Sequence, residues 1–122
     1  MIKKEFKKKT LAIDFYGVIH KYSKGWQDGS IYDVPMPGVK KSLTMLNKKF
    51  KIVIFSRRAV HQGIRDIKKW LEFYKIPYNR VTKIKPRARW YIDDRAVRFI
   101  TWKKTLGELS YLEKNYPFRN RK

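Results

Sequence analysis

The sequence predicts an α/β fold with a central, mainly parallel sheet of four or five strands. Apolar runs at residues 10–15 and 51–55 have too little polarity for half-exposed strands, which favours strands buried on both faces. Segments of helical periodicity lie between the strands, and such alternation indicates βαβ units with right-handed crossovers. The 122 residues are enough for one domain with a single core. The pattern leaves the order of the strands open.

The elements of the N-terminal half follow from local signals. Residues 16–37 are rich in turn residues with interspersed aromatic side chains, which predicts a packed hairpin or flap. Pro37 suits the first turn of a helix. The apolar stripe of this first helix is expected at Val39, Leu43, Leu46 and Phe50. A second helix, which Pro77 ends, is expected to bury Val60, Ile64, Ile67, Leu71 and Tyr74.

The C-terminal half predicts short strands and a last helix. Strands are expected at residues 79–83, 89–93 and 97–100. Thr105 and Glu108 match a capping box, which predicts a helix start at this point. The buried face of that helix is expected at Leu106, Leu109 and Leu112.

The charge of the chain favours a polyanionic partner. Lysine and arginine number 31 against 10 aspartates and glutamates, which gives a net charge of +21. We therefore expect nucleic acid, RNA or DNA, as a partner, bound directly or within a ribonucleoprotein assembly. A lysine-rich proteome or simple solubility is the alternative explanation. We divide the chain into a basic arm at 1–9, a domain at 10–114 and a basic tail at 115–122.

Two further features of the composition bear on location. The chain has no cysteine, which excludes disulfides and thiolate metal sites and fits an intracellular, cytoplasmic protein. No segment approaches the roughly 20 apolar residues that span a bilayer, so no membrane partner is expected.

Acidic residues follow two of the apolar strands. Asp14 ends the run Leu11-Ala12-Ile13-Asp14, and Asp93 and Asp94 follow the run Trp90-Tyr91-Ile92. Ligands of open α/β sheets bind at the carboxyl ends of the strands. If these two strands are neighbours, the three carboxylates meet there and need a cation.

Four motifs in this order resemble those of the haloacid dehalogenase (HAD) superfamily. They are Asp14-Phe15-Tyr16-Gly17-Val18, Ser56 after a strand, Lys85 before a strand, and Tyr91-Ile92-Asp93-Asp94-Arg95. The chain looks most like small phosphatase-like members, including the 3′-phosphatase domains of polynucleotide kinases. The resemblance covers roughly residues 10–102. It implies a Rossmann-like three-layer sandwich without a cap domain.

The resemblance also implies a role for each matching residue. Asp14 corresponds to the nucleophile that forms an aspartyl phosphate, and Ser56 and Lys85 to groups that bind the phosphoryl oxygens. Lys83 competes with Lys85 for that role, and Ser56 alternatively caps the following helix. The implied cofactor is Mg²⁺. Its ligands are expected to be Asp14, Asp93 or Asp94, and the main-chain carbonyl of Tyr16.

Tyr16 departs from the phosphatase pattern. Phosphatases of the superfamily usually carry a second Asp here, which protonates the leaving oxygen and then activates water. A tyrosine hydroxyl with a pKa near 10 is a poor base at neutral pH, and losing a general acid–base costs about 10²–10⁴-fold in rate. The dehalogenases do carry Tyr at this position. They cover a small organic acid with a helical cap, for which residues 15–55 and 57–84 leave no room.

Two functions therefore compete. The first is a Mg²⁺-dependent phosphohydrolase acting on a nucleic-acid or nucleotide phosphate, weakened by Tyr16. The second is a catalytically inactive HAD-fold protein that binds nucleic acid or belongs to a ribonucleoprotein. Candidate phosphate-binding residues for either are Arg57, Arg58, Lys83, Arg87, Arg89 and Arg95. Trp26, Trp90 and Trp102 are either core residues or stacking faces for bases.

Overall fold

The computed structural model describes residues 7–57 and 63–116. Its four strands form one parallel sheet in the order β3-β2-β1-β4. The strands are β1 (Lys9–Asp14), β2 (Phe50–Phe55), β3 (Arg80–Thr82) and β4 (Trp90–Ile92). The helices are α1 (Val39–Leu46), α2 (Gly63–Phe73) and α3 (Trp102–Asn115). The predicted α/β fold with a parallel sheet is confirmed, with four strands in the described part of the chain.

One hydrophobic cluster joins the sheet to the first two helices. Alternate residues of β1 and β2 point to the same face of the sheet, because side chains alternate along a strand. The cluster contains Leu11 and Ile13 of β1, Ile52 and Ile54 of β2, Val39 and Leu43 of α1, and Ile67 and Leu71 of α2. Both helices therefore pack on this face, as right-handed crossovers from β1 to β2 to β3 require. Ala12 and Val53, which point the other way, are buried too.

The first helix starts later and ends earlier than the sequence pattern predicts. Gly38 has a left-handed φ of +84°, so Pro37 lies outside the helix, which begins at Val39. Phe50, predicted as part of the helical stripe, is instead the first residue of β2. The apolar periodicity runs across the helix end because both elements face the same core.

The second helix ends before the proline that was expected to stop it. Its last residue is Phe73, and Lys75 has a left-handed φ of +56° that ends the helical path two residues before Pro77. The amide of Ile76 then donates to the carbonyl of Leu71 at 2.9 Å, which closes the helix end. Val60, predicted on the apolar face, lies outside the described residues.

The C-terminal predictions are partly wrong. Residues 97–100, which the structure describes, form no strand. The helix α3 begins three residues before Thr105, because Thr101 is its N-cap and its side chain accepts a hydrogen bond from the amide of Lys104 at 3.2 Å. The predicted buried face is wrong for Leu106 and Leu109, which are 64% and 44% exposed, whereas Leu112 is half-buried. None of the described helices has the length and apolar character to cross a membrane.

The arm and the tail lie mostly outside the described residues. The strand β1 begins at Lys9, and the side-chain amine of Lys8 donates to the carbonyl of Asn47 at 2.8 Å. The helix α3 continues to Asn115. Residues 1–6 and 117–122 are not described.

Residues 16–37 form a packed flap, as predicted. His20 pairs in isolated bridges with Tyr16 and with Pro35, which ties the two ends of the flap together. The His20 side chain is fully buried, and its Nε2 accepts a hydrogen bond from the amide of Asp33 at 2.9 Å. Its ring centroid lies 5.2 Å from that of Tyr16 and 5.6 Å from that of Trp70. The flap is thus fixed to the core through a neutral, buried imidazole.

The burial of His20 makes stability depend on pH. Burial lowers the pKa of His20 from 6.5 to about 4, although the negative charge of Asp33 acts to raise it. Because Nε2 accepts a hydrogen bond, the neutral ring carries its proton on Nδ1, which is buried with no hydrogen-bond partner in the part of the chain that the structure describes. A second proton would have to bind Nε2, where it would displace the amide of Asp33 and leave a buried charge. Below pH 6.5 the unfolded chain binds this proton and the folded chain does not. We expect up to about 3 kcal/mol of stability, present above pH 6.5, to be lost as the pH falls to about 4.

The measurement is urea unfolding of wild type and His20→Gln at several pH values between 7.5 and 4. The glutamine carbonyl still accepts from the amide of Asp33 but does not titrate. The difference in unfolding free energy between the two proteins should therefore change over this range in favour of the variant. Hydrogen bonds from Ser23 hold the pKa of Asp33 at about 2, below this range. Parallel pH profiles for the two proteins would refute the assignment.

Candidate metal and phosphate site

The candidate site lies where the direction of strand addition reverses. From β1 the chain adds β2 and then β3 on one side, and β4 then pairs with the opposite side of β1. Ligands bind outside the carboxyl ends of the strands at such a switch point. Asp14 is the last residue of β1, and Asp93 directly follows β4. The topology therefore brings residues 79 positions apart in the chain to one edge of the sheet.

Three carboxylates converge at this edge. One carboxylate oxygen from each of Asp14, Asp93 and Asp94 lies within 4.8 Å of the others. Asp14 and Asp93 are partly buried, and Asp94 is exposed. The amide of Arg95 donates to Oδ1 of Asp93 at 3.0 Å, which orients this carboxylate. The expected meeting of the three acids is confirmed.

The electrostatics of the cluster favour a bound cation. Burial, followed by the negative charges of Asp93 and Asp94, raises the pKa of Asp14 to about 7, although the hydrogen bond from the amide of Phe15 lowers it. A hard divalent cation prefers carboxylate and carbonyl oxygens. The donor set at this site therefore fits such a cation, and binding it would remove the repulsion among the carboxylates.

A cleft of about 1080 Å³ opens over the acids. Four residues singled out from the sequence line it together with Asp93: Asp14, Tyr16, Ser56 and Lys85. Three basic side chains that were predicted to bind phosphates also line it: Arg57, Lys83 and Arg95. The cleft thus combines an acidic group at the strand ends with basic residues around it. Asp94 is not part of its lining.

Lys85 is oriented by its surroundings. Its amine lies 3.7 Å from a carboxylate oxygen of Asp93 and 4.8 Å from the centroid of the Tyr91 ring. The Tyr91 hydroxyl donates to the carbonyl of Pro86 at 2.6 Å and accepts from the amide of Ala88 at 3.2 Å, which fixes that ring. The Lys85 side chain is half exposed, so this ion pair contributes little to stability. Its contribution is to place a positive charge beside the acids, which favours Lys85 over Lys83.

Ser56 lies at the end of β2. It is buried, and its amide donates to the carbonyl of Thr82 in β3 at 3.1 Å. This bond fixes the backbone where Ser56 reaches the cleft. The alternative role of Ser56, capping the next helix, depends on residues 58–62, which lie outside the described part.

Tyr16 belongs both to the cleft and to the packing of the flap. Its ring centroid lies 4.9 Å from that of Phe15, 5.1 Å from that of Tyr22 and 5.2 Å from that of His20. Gly17 follows with a left-handed φ of +88° and donates its amide to the carbonyl of His20 at 2.8 Å. The sharp turn after Asp14 therefore depends on Gly17, and the Tyr16 ring anchors the flap. The sequence reasoning missed this second role.

Two further predicted nucleic-acid residues do not line the cleft. Neither Arg87 nor Arg89 lines it. The Arg89 guanidinium lies 5.6 Å from the centroid of the Trp90 ring. The backbone amide of Arg89 donates to the carbonyl of Thr10 at 2.8 Å. Arg58 lies outside the described residues.

The three tryptophans considered as stacking faces have different locations. All are exposed: Trp26 by 37%, Trp90 by 51% and Trp102 by 69%. A core role is therefore wrong for them, and the buried tryptophan is Trp70. Of the three, Trp26 lines the cleft, whereas Trp90 lies in the edge strand β4 and Trp102 begins α3.

Comparison with known proteins shows the fold. No family model and no curated protein matches the chain. The crystal structure of a structural genomics target from Vibrio cholerae is similar, with a TM-score of 0.53 and 23% sequence identity. The match covers 84% of this chain and 98% of that chain. At this identity the likeness shows a shared α/β fold and nothing about activity.

Proposed function

We propose that the protein is a capless, HAD-type phosphohydrolase that uses Mg²⁺ and acts on a phosphate of nucleic acid or of a nucleotide. The observation that carries the proposal is the convergence of three carboxylate oxygens within 4.8 Å. They lie in a cleft that Ser56 and Lys85 also line. The order and residue types of the four motifs support the same reading, including a three-layer arrangement around the sheet.

The reaction begins with Asp14. Its carboxylate oxygen attacks the phosphorus, and the bond from phosphorus to the ester oxygen breaks while that oxygen takes up a proton from the Tyr16 hydroxyl or from water. Asp14 then carries the phosphoryl group as an acyl phosphate. Ser56 donates to a phosphoryl oxygen, and Lys85 neutralises charge that develops there. Water next attacks the phosphorus, the bond to Asp14 breaks, and phosphate leaves with release of a proton.

The cation has a defined set of ligands on this chain. Asp14, Asp93 or Asp94, and the main-chain carbonyl of Tyr16 would hold it. When bound, it offsets the repulsion between the carboxylate of Asp14 and the phosphate. The cluster supports a bound cation, because the charges of Asp93 and Asp94 act on Asp14.

The lining of the cleft supports a large anionic substrate. A cap domain would be inserted at residues 15–55 or 57–84, between the motifs. The described residues of these intervals form the flap, α1, β2, α2, β3 and their connections, so none of them forms a cap. The site is thus open, and Arg57, Lys83 and Arg95 surround it. Substrates with several phosphates are attracted to such a surface.

A second candidate function is nucleic-acid binding without catalysis, alone or in a ribonucleoprotein. Two observations favour it: Tyr16 lies in the cleft where the phosphatases carry an acid, and the net charge is +21. The fold and the basic cleft are the same in both proposals. The two proposals differ in whether the protein releases phosphate from the nucleic acid that it binds.

The test measures phosphate release and binding on the same substrates. Oligonucleotides with a 3′- or a 5′-phosphate are incubated with wild type in Mg²⁺ or in a chelator, and binding is followed from 50 to 200 mM salt. We expect slow, Mg²⁺-dependent release and binding that weakens steeply with salt, with a logarithmic slope of about −0.7 per phosphate contact. Steep binding without release supports the non-catalytic alternative. Flat salt dependence without release contradicts both.

A further inference from the structure

The cleft is larger than a phosphate group requires. Its volume of about 1080 Å³ reaches the upper range of about 300–1,000 Å³ for small-molecule sites. A cation and a phosphoryl group fill only the part next to Asp14. The remaining space is therefore available to the group that carries the phosphate.

The flap gives this remaining space an aromatic wall. Tyr22, Trp26 and Gly29 of the flap line the same cleft as Asp14. Trp26 is 37% exposed, so part of its indole is accessible to a ligand. Ile84, which is 67% exposed, adds an apolar surface to the lining. Flat aromatic surface beside basic residues is the composition of sites that stack nucleobases.

The backbone around Trp26 is fixed by hydrogen bonds. The Gln27 side-chain amide donates to the carbonyls of Lys24 and Trp26 at 2.9 and 3.1 Å. The Tyr32 hydroxyl accepts from the amide of Lys24 at 2.9 Å and donates to the carbonyl of Gly25 at 2.8 Å. Both residues before Trp26 are therefore tied to one tyrosine side chain.

That tyrosine connects the tip of the flap to the catalytic strand. The Tyr32 ring lies 5.3 Å from the ring of His20, which itself packs against Tyr16 and Phe15, the two residues after Asp14. The backbone that carries Trp26 is thus held in a set position relative to Asp14 before any ligand binds. Preorganisation of this kind reduces the entropy that binding costs.

From these observations we infer that Trp26 stacks on the base adjacent to the phosphate, so that the cleft takes a nucleoside phosphate. The phosphate lies beside Asp14 and Lys85, and the base lies against the indole. This inference rests on the proposed phosphate site but not on turnover. The shared ligand chemistry is a base one sugar away from a terminal phosphate, either on a strand end or in a free nucleotide. Recognition is tolerant of sequence, because every base has a π-face.

The experiment measures binding to the Asp14→Asn protein, which lacks the attacking carboxylate and so leaves the probe intact. Two fluorescent oligonucleotides with a 3′-phosphate are compared, one with a normal terminal nucleotide and one whose terminal nucleotide lacks its base. Adding Trp26→Ala should weaken binding of the normal probe about 5- to 150-fold. It should leave binding of the abasic probe unchanged. Trp26→Phe should retain most of the affinity, because it keeps an aromatic face.

Trp102→Ala is the matched control. This tryptophan is more exposed than Trp26 but does not line the cleft, so its removal should change neither affinity. Equal losses on both probes after Trp26→Ala, or no loss on either, would overturn the inference. Circular dichroism and the retained affinity of Trp26→Phe separate loss of stacking from loss of the flap.

Two further arms complete the design. Competition by a nucleoside 3′-monophosphate identifies the source of the ligand. If the ligand is a free nucleotide, the monophosphate should compete as well as the oligonucleotide does. If the ligand is a strand end, the oligonucleotide should bind much more tightly than the monophosphate. Phosphate release by wild type is measured in parallel. Release that ignores the terminal base keeps the hydrolase proposal and rejects the role of Trp26. Base-dependent binding without phosphate release keeps the role of Trp26 and rejects the hydrolase proposal.

Discussion

Asp14→Asn should abolish phosphate release and at the same time make the metal-free protein more stable. The substitution removes the attacking oxygen, so the rate should fall to the background. It also removes one of three carboxylates that repel one another in a partly buried cluster. We expect the metal-free variant at pH 8 to gain on the order of 2 kcal/mol in unfolding free energy, after allowance for solvent screening. A gain in stability with a complete loss of activity is typical of a functional site.

Thermal unfolding with and without Mg²⁺ measures this effect. A ligand at 100 times its Kd adds about 2.7 kcal/mol to stability, so wild type should unfold at a higher temperature in Mg²⁺. Asp14→Asn should lose most of that increase. Asp66→Asn in α2 is the matched control, because it removes an exposed carboxylate that is not part of the cluster. An equal Mg²⁺ effect in Asp14→Asn and wild type would refute the assignment of Asp14 to the cation.

Tyr16→Asp should raise the rate of phosphate release and lower stability. A carboxyl group here supplies the general acid–base that the tyrosine hydroxyl replaces poorly, and the gain should be about 10²–10⁴-fold. The cost arises because the ring leaves its contacts with Phe15, Tyr22 and His20. We expect a loss of about 1–3 kcal/mol in unfolding free energy. Single-turnover phosphate release and urea unfolding measure the two effects.

Tyr16→Phe separates the hydroxyl from the ring. It keeps the aromatic contacts, so its stability should stay close to that of wild type. If the Tyr16 hydroxyl protonates the leaving oxygen, Tyr16→Phe should be slower than wild type. If wild type is inert and Tyr16→Asp is active, the natural protein belongs to the non-catalytic alternative. A folded Tyr16→Asp no faster than wild type would contradict the general acid–base argument.

The sequence was sufficient to predict the acidic site. Apolar strands identify the central sheet, and the carboxylates after two of them predict an acidic cluster at one edge of it. Asp14, Asp93 and Asp94 do meet, because β1 and β4 are hydrogen-bonded neighbours. The strand order itself was not predictable, since nothing in the periodicity of short apolar runs records which strands pair.

The errors have local physical causes. The periodicity of α3 predicted a buried face, but a stripe of leucines does not specify a partner, and Leu106 and Leu109 are exposed. Thr101 and Thr105 are both acceptable caps, and the upstream residue is the one whose extended backbone lets its side chain accept from an amide. The position of Trp26 in the cleft depends on long-range contacts of the flap through Tyr32 and His20. Such contacts leave no periodic signal.

The most direct test of the cation and phosphate site is a crystal structure with Mn²⁺ in place of Mg²⁺, examined by anomalous scattering. We predict an anomalous peak between Asp14 and Asp93, within about 2.0–2.3 Å of an oxygen from each. The main-chain carbonyl of Tyr16 should complete the protein ligands. No peak at saturating Mn²⁺, or a peak that contacts neither Asp14 nor Asp93, would contradict the account.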